Sequence, residues 1–222
     1  MTAFSGFKPA AFEFYRGLEA DNSKEFWQAN KATFDTEVNG QLHALTEELA
    51  EEFGEAKIFR PQRDIRFSND KSPYKTHLGA FVGKAPSTGL YVQISQSGIL
   101  VGGGFHDSTP GLLAAVRDGI QDDTAGPALE GIIQALEKQK FVLEGEQLKT
   151  APRGIDKDHP RIDLLRRKSL TVGKEYAASK VSTKKFADVV RSEWTSIQPF
   201  VDWIATAAKD VEVPTGGWGR RG

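Results

Sequence analysis

The chain has 222 residues, of which 39% are apolar and 27% charged, with a formal net charge of −1. That balance suits a soluble domain with a full core, and it argues against a protein that coats nucleic acid by bulk charge. There is no cysteine, so disulfides, thiolate catalysis and Cys-ligated zinc are excluded.

The N-terminus, MTAFSGFKPAAFEF, has neither the basic nor the apolar region of a signal peptide. No run approaches the ~20 apolar residues of a membrane span. A cytoplasmic protein without membrane contact is expected.

In chain order, Pro9 with Phe12, Tyr15 and Leu18 predicts a short helix. Asn22 reads as an N-cap with Glu25 as its capping-box partner. A long helix follows, with an apolar stripe through Phe26, Phe34, Val38, Leu42, Leu45, Leu49 and Phe53, and Gly54 just past its end. Strands are predicted over 62–67 and Thr76–Val82. Leu90–Ser95 and Ile99–Phe105 form a hairpin that turns at Gln96-Ser97-Gly98.

Thr109-Pro110 reads as a cap followed by proline at the first helical position, opening a helix with Leu113, Val116 and Ile120. Leu129, Ile132, Ile133 and Leu136 predict another. Phe141–Lys149 is expected as a short hairpin around Glu144-Gly145. A helix near Asp158 and Pro160 should carry Ile162, Leu164 and Leu165. The last helix is expected from Thr183 to Lys209, broken or kinked at Pro199.

Strands in the middle with helices before and after indicate an α+β fold, with a central, largely antiparallel sheet and flanking N-terminal and C-terminal helices. The expected organisation is one domain over 1–213 and a flexible Gly/Arg tail over 214–222.

Charge is unevenly spread. Residues 13–55 hold eleven acidic and three basic groups, whereas 60–77, RPQRDIRFSNDKSPYKTH, hold five basic and two acidic ones. Charge at that density is costly to place unless it is paired or binds something. On a strand through Arg66, alternation puts Arg63, Ile65 and Phe67 on one face and Asp64 and Arg66 on the other. Asp64 beside Arg66 can orient it and leave donors for a planar oxyanion. The Ser68–Pro73 stretch has turn composition, and Lys75 and His77 share a face beyond it. An ion-pair lattice at a sheet edge is the structural alternative.

A second basic segment, residues 148–170, holds seven basic and three acidic groups. Lys149 and Arg153 flank a Pro-Arg-Gly turn, and Asp158 and His159 sit at an expected helix start that favours an anion. Asp158 can serve simply as the cap. Asp163 and Arg167 read as a surface pair four residues apart, and Arg166-Arg167-Lys168 as a solvated helix end.

No two of the four histidines have metal-ligand spacing, so no metal site is expected. His77 and His159, inside the basic segments, are the better proton-transfer candidates. Gly102-Gly103-Gly104 lacks the pattern of a phosphate loop and fits close packing of a strand better.

The stretch Arg60, Arg63, Asp64, Arg66, Phe67, then Asp70, Lys71, Tyr74, Lys75, resembles the hallmark Arg-x-x-Arg-Asp-x-Arg-Phe…Asp-Lys-x-x-Tyr-Lys of a bacterial family called domain of unknown function 2461. Phe4-Ser5-Gly6-Phe7, the Asn22–Lys31 segment with Phe26-Trp27 in reversed order, Gly102–Phe105, Leu148-Lys149, Pro152, Gly154 and Asp158-His159-Pro160 extend the resemblance over nearly the whole chain. It implies one α+β domain of this length with no established activity, and it ties the two basic segments to one family pattern.

The leading expectation is a site for an anionic, phosphate-bearing small molecule, with no cofactor. Arg63, Arg66, Lys71, Lys75 and Arg153 would hold the anion, and Asp64 and Asp70 would orient them. His77, His159, Asp64 and Tyr74 are candidates for proton transfer should the protein be an enzyme. A nucleic-acid-binding module, and a protein-interaction or scaffold domain using the acidic helix, are the alternatives.

Overall fold

Helix α1 (Pro9–Ala20) begins at Pro9, where a missing N–H costs nothing, and buries Phe12, Tyr15 and Leu18. These and all other coordinates come from a computed structural model, which describes residues 3–64, 66, 70–85, 87–106 and 109–211. Helix α2 (Lys24–Thr33) is capped by Ser23, whose hydroxyl accepts from the Phe26 N–H at 3.1 Å. Asn22, the expected cap, lies one residue too early and is used elsewhere.

The helix continues through a π-helical segment (Phe34–Asn39), where the Gly40 N–H reaches back to the Asp35 carbonyl, into α3 (Gly40–Phe53). The middle of the expected stripe survives this wider turn, with Phe34, Val38, Leu42, Leu45 and Leu49 all buried, whereas its ends, Phe26 and Phe53, are only half-buried. Gly54, at φ +101°, ends the helix in a conformation that favours glycine.

One six-stranded antiparallel sheet has the order β1-β2-β3-β4-β6-β5. Its strands are β1 (Lys57–Ile58), β2 (His77–Ala85), β3 (Thr88–Ser95), β4 (Gly98–Phe105), β5 (Val142–Glu144) and β6 (Leu170–Ala177). With helices α4 (Pro110–Gln121), α5 (Ala125–Lys138), α6 (Ile162–Leu165) and α7 (Phe186–Ala207), the fold is α+β as expected. The Thr109 hydroxyl accepts from the Leu112 N–H at 3.2 Å, the cap its sequence predicts.

Several expectations are corrected. The strand over 62–67 shrinks to a single antiparallel bridge, Gln62 with Tyr74. Pro61 and Pro73 flank that bridge and have no N–H, so the ladder cannot extend through them. Ile65 and Phe67, assigned to its buried face, lie outside the described residues, as does the tail 214–222. Residues 141–149 do not fold on themselves. Val142, Leu143 and Glu144 pair with Gly173, Val172 and Thr171 of β6, a strand that the Gly173-Lys174 pair obscures in the sequence.

Helix α6 is one turn long, beginning at Ile162 rather than near Asp158. Helix α7 runs through Pro199 without interruption. Burial of Ile197, Phe200, Val201 and Ile204 outweighs the cost of proline inside a helix, about 3 kcal/mol.

The chain forms two compact units: Met1–Val82, Tyr91–Gly102 and Lys174–Thr195 in the first, and Gly83–Leu90, Gly103–Gly173 and Ser196–Gly222 in the second. In the first, Phe14 gathers Tyr15, Phe26, Trp27 and Phe34 into an aromatic cluster. In the second, Gly103 lies against α7: a Cβ there would meet Ile197 Cγ2 at 2.7 Å. The triple glycine is therefore close packing. No helix among the described residues is long and apolar enough to cross a membrane.

Candidate functional site

The first basic segment is a narrow loop closed by two hydrogen bonds. The Arg63 N–H donates to the Pro73 carbonyl at 2.9 Å, and the Lys75 N–H donates to the Pro61 carbonyl at 2.8 Å. Tyr74 sits between these bonds. Its own N–H donates to Asn22 Oδ1 and its carbonyl accepts from Asn22 Nδ2, both at 3.0 Å. The residue is 9% exposed, and its ring stacks on the Trp27 indole at 4.2 Å with an interplanar angle of 5°.

The side chains divide into two groups. Arg66 is forked onto Asp64, with Nε to Oδ1 at 2.9 Å and Nη2 to Oδ2 at 2.6 Å, and both groups face solvent. Those hydrogen bonds hold the Asp64 carboxyl well below the usual range. The expected neighbourhood of Asp64 and Arg66 is present, but the carboxylate takes two of the guanidinium's nitrogens for itself.

The other group is Arg60, Arg63, Lys75 and His77. Arg63 Nη1 pairs with Asp70 Oδ2 at 2.9 Å, while Arg63 Nε is buried and has no acceptor among the described residues. Asp70 is held low first by the Ser72 hydroxyl and N–H and then by Arg63, and it anchors the turn at the same time. Burial lowers the pKa of Lys75, and the charges of Arg60 and Arg63 lower it further. Its Nζ lies 5.9 Å from the centre of the Phe59 ring, at the outer limit of a cation–π contact. His77 is lowered by burial and then by Lys75 and Arg63, which favours the neutral imidazole. Cations that depress one another in this way form a region of concentrated positive potential. Lys71 is exposed on the same loop.

The second segment uses its cations differently. Arg161 Nε donates to the Ile120 carbonyl at 2.6 Å, and Nη2 reaches the Gln121 and Asp122 carbonyls. This guanidinium covers the C-terminal end of α4, where the helix dipole favours a cation, and pairs with Glu130 at 3.7 Å. Arg166 donates to the Leu148 and Lys149 carbonyls, and Lys168 pairs with Glu146 at 2.5 Å. These residues are not the solvated helix end read from sequence; they lace the chain to its 145–149 stretch.

Arg167 reaches toward the Gly145 carbonyl at 3.5 Å, and Asp163 acts on it by charge without a close ion pair between them. The one-turn α6 ends before a pair four residues apart can form on it. His159 Nδ1 accepts from the Arg161 N–H at 3.0 Å, and Asp158 donates its N–H to Asp156. Neither caps a helix. Arg153 is exposed.

The sequence reading missed Asn22 and Trp27 as neighbours of the loop. Asn22 lies 52 positions from its partner, and no local pattern marks such a contact. Arg60, a partner of Lys75 in charge, was visible as part of the hallmark. Among the described residues, no three His, Asp or Glu side chains are placed to hold a metal ion.

Compared with known proteins, residues 10–203 match the family model described as "Conserved hypothetical protein (DUF2461)". No curated protein matches the chain.

Proposed function

The chain belongs to the DUF2461 family, whose description assigns no activity, and from the site itself we propose that the protein binds a phosphate-bearing small molecule at Arg60, Arg63, Lys75 and His77. The observation that carries this is the Arg63 Nε–H, buried without an acceptor among the described residues and amid three other basic groups. A buried donor left unmade costs about 1–3 kcal/mol, and the surrounding like charges add to that cost. An anion accepting from Arg63 and screening Lys75 relieves both. Neutral His77 then acts as a hydrogen-bond donor to a phosphate oxygen, and it is the group beside the anion able to exchange a proton near neutral pH.

The exposed Arg66–Asp64 fork orients the loop rather than holding the ligand. Arg153 and His159, in the second unit, are not needed by this reading. Thermal shift with inorganic phosphate, pyrophosphate and a panel of phosphorylated metabolites tests it. The midpoint should rise with ligand concentration in the wild type and stay flat in Arg63→Ala. A wild type indifferent to the whole panel sinks the proposal. Retention on heparin that modest salt abolishes would favour the nucleic-acid-binding alternative instead.

A further inference from the structure

The cations of the site sit on a loop, and much of what fixes that loop lies outside it. Tyr74 has its backbone donor and acceptor both satisfied by one side chain, the Asn22 carboxamide, at 3.0 Å each. Asn22 thereby substitutes for a neighbouring strand over a single residue. The Tyr74 ring is held by Trp27, which is 7% exposed and wedged against Phe34 at 4.7 Å and Phe14 at 5.7 Å.

Tyr74 lies between Pro73, whose carbonyl holds the Arg63 N–H, and Lys75, whose N–H holds the Pro61 carbonyl. A continuous set of contacts therefore runs from the start of α2, through one tyrosine, to the backbones that carry Arg63 and Lys75. Like charges would drift apart on an untethered loop. Here the tether keeps them close before any ligand arrives, which is preorganisation.

We infer that Asn22 and Trp27 are positioning residues of the anion site, and that the spacing they impose selects anions with two or more negative charges. The inference rests on the anion reading above. Of the three arginine and lysine side chains at the site, Arg63 is the one ion-paired with a carboxylate among the described residues; Asp64, which feels the charge of Arg60, is forked onto Arg66. A monoanion leaves the site net positive, whereas a phosphomonoester or pyrophosphate group neutralises it.

The test measures the dissociation constants of inorganic pyrophosphate, phosphate and acetate by calorimetry, together with amide exchange at Arg63 and Lys75. The wild type should prefer pyrophosphate to phosphate and bind acetate negligibly. Asn22→Ala, losing two hydrogen bonds, should weaken pyrophosphate about tenfold and narrow its preference over phosphate. Exchange at Arg63 and Lys75 should rise while Leu42, Leu45 and Leu49 of α3 stay protected.

Trp27→Leu should repeat the loss, and Trp27→Tyr, which keeps an aromatic face, should restore most of the affinity. Arg63→Ala should abolish binding yet leave Lys75 exchange as in the wild type. Wild-type affinity and preference in both Asn22→Ala and Trp27→Leu would overturn the positioning role alone. A wild type that binds no pyrophosphate would overturn the anion reading and this role with it, whatever the exchange shows.

Discussion

Two stretches of this chain are rich in arginine and lysine, and they direct them at different acceptors. In 148–170 the guanidinium groups of Arg161 and Arg166 point at backbone carbonyls of Ile120, Leu148 and Lys149. In 59–77, Arg63 and Lys75 crowd one another, and Asp70 is the carboxylate paired with Arg63. Carbonyl dipoles satisfy a cation without exposing potential to a ligand, and the arrangement stabilises the fold locally. Crowded cations do the reverse, giving up local stability for a field that an anion can use. A basic run in a sequence is therefore two different physical objects, depending on what its donors meet.

The comparison breaks most readily at Arg161. Its side chain is 10% exposed, and it holds the α4 terminus at Ile120 and the Glu130 carboxylate together. Arg161→Ala should cost about 2–3 kcal/mol, which for a chain of this size is roughly 5–10 °C in Tm. Pyrophosphate affinity should not change. Urea unfolding with parallel calorimetry checks both halves; a large loss of affinity would mean that the two segments are not separate in function.

Arg63→Ala is the converse. Its half-exposed pair with Asp70 is screened by solvent, and its loss is offset by relief of the repulsion at Lys75, so stability should barely move. Pyrophosphate binding should be abolished, since a charge-assisted bond to the anion is lost. A marked drop in stability with affinity retained would turn the 59–77 cluster into the structural lattice that is its alternative.

Legibility in the sequence followed the range of the interaction. Thr109-Pro110, the β3–β4 hairpin and the Phe34–Leu49 part of the apolar stripe of α2–α3 are local patterns, and all appear in the structure. The Asp64–Arg66 neighbourhood, two positions apart, was equally visible. The Asn22–Tyr74 clamp was not, because a carboxamide bonding a backbone leaves no residue-type signature at the far end.

The same blindness hid the role of Arg161 and Arg166, whose acceptors are carbonyls that every residue carries. Strand β6 was lost for another reason: its Leu170–Val172 alternation stops at Gly173 before a strand length is reached. Asn22 was misread because Ser23, next to it, is an equally good cap, and only the structure shows which of them the helix uses.

Arg66 sharpens the comparison further. Its fork onto Asp64 is geometrically good, yet both partners are largely solvated. Arg66→Ala should leave stability close to that of the wild type, because solvent screens the pair, and should change pyrophosphate affinity by less than Arg63→Ala does. An effect on affinity equal to that of Arg63→Ala would bring Arg66 back into the site and enlarge it toward solvent.

The smallest expected effect is a pH slope, and it reports on the same field. Burial, then Lys75 and Arg63, lower the pKa of His77 in the folded protein. As pH falls through about 6.5, the ordinary value for histidine, the unfolded chain takes up a proton that the folded chain resists. The unfolded state then binds more protons, so stability declines on acidification and levels off only below the folded pKa. His77→Gln removes that contribution and should show a shallower decline below neutral pH in denaturant titrations. Saturating pyrophosphate should flatten the wild-type slope in the same way, because a bound anion stabilises the imidazolium and brings its pKa back up. If the ligand steepens the slope instead, His77 does not face the bound anion, and the cluster must be redrawn around Arg60, Arg63 and Lys75.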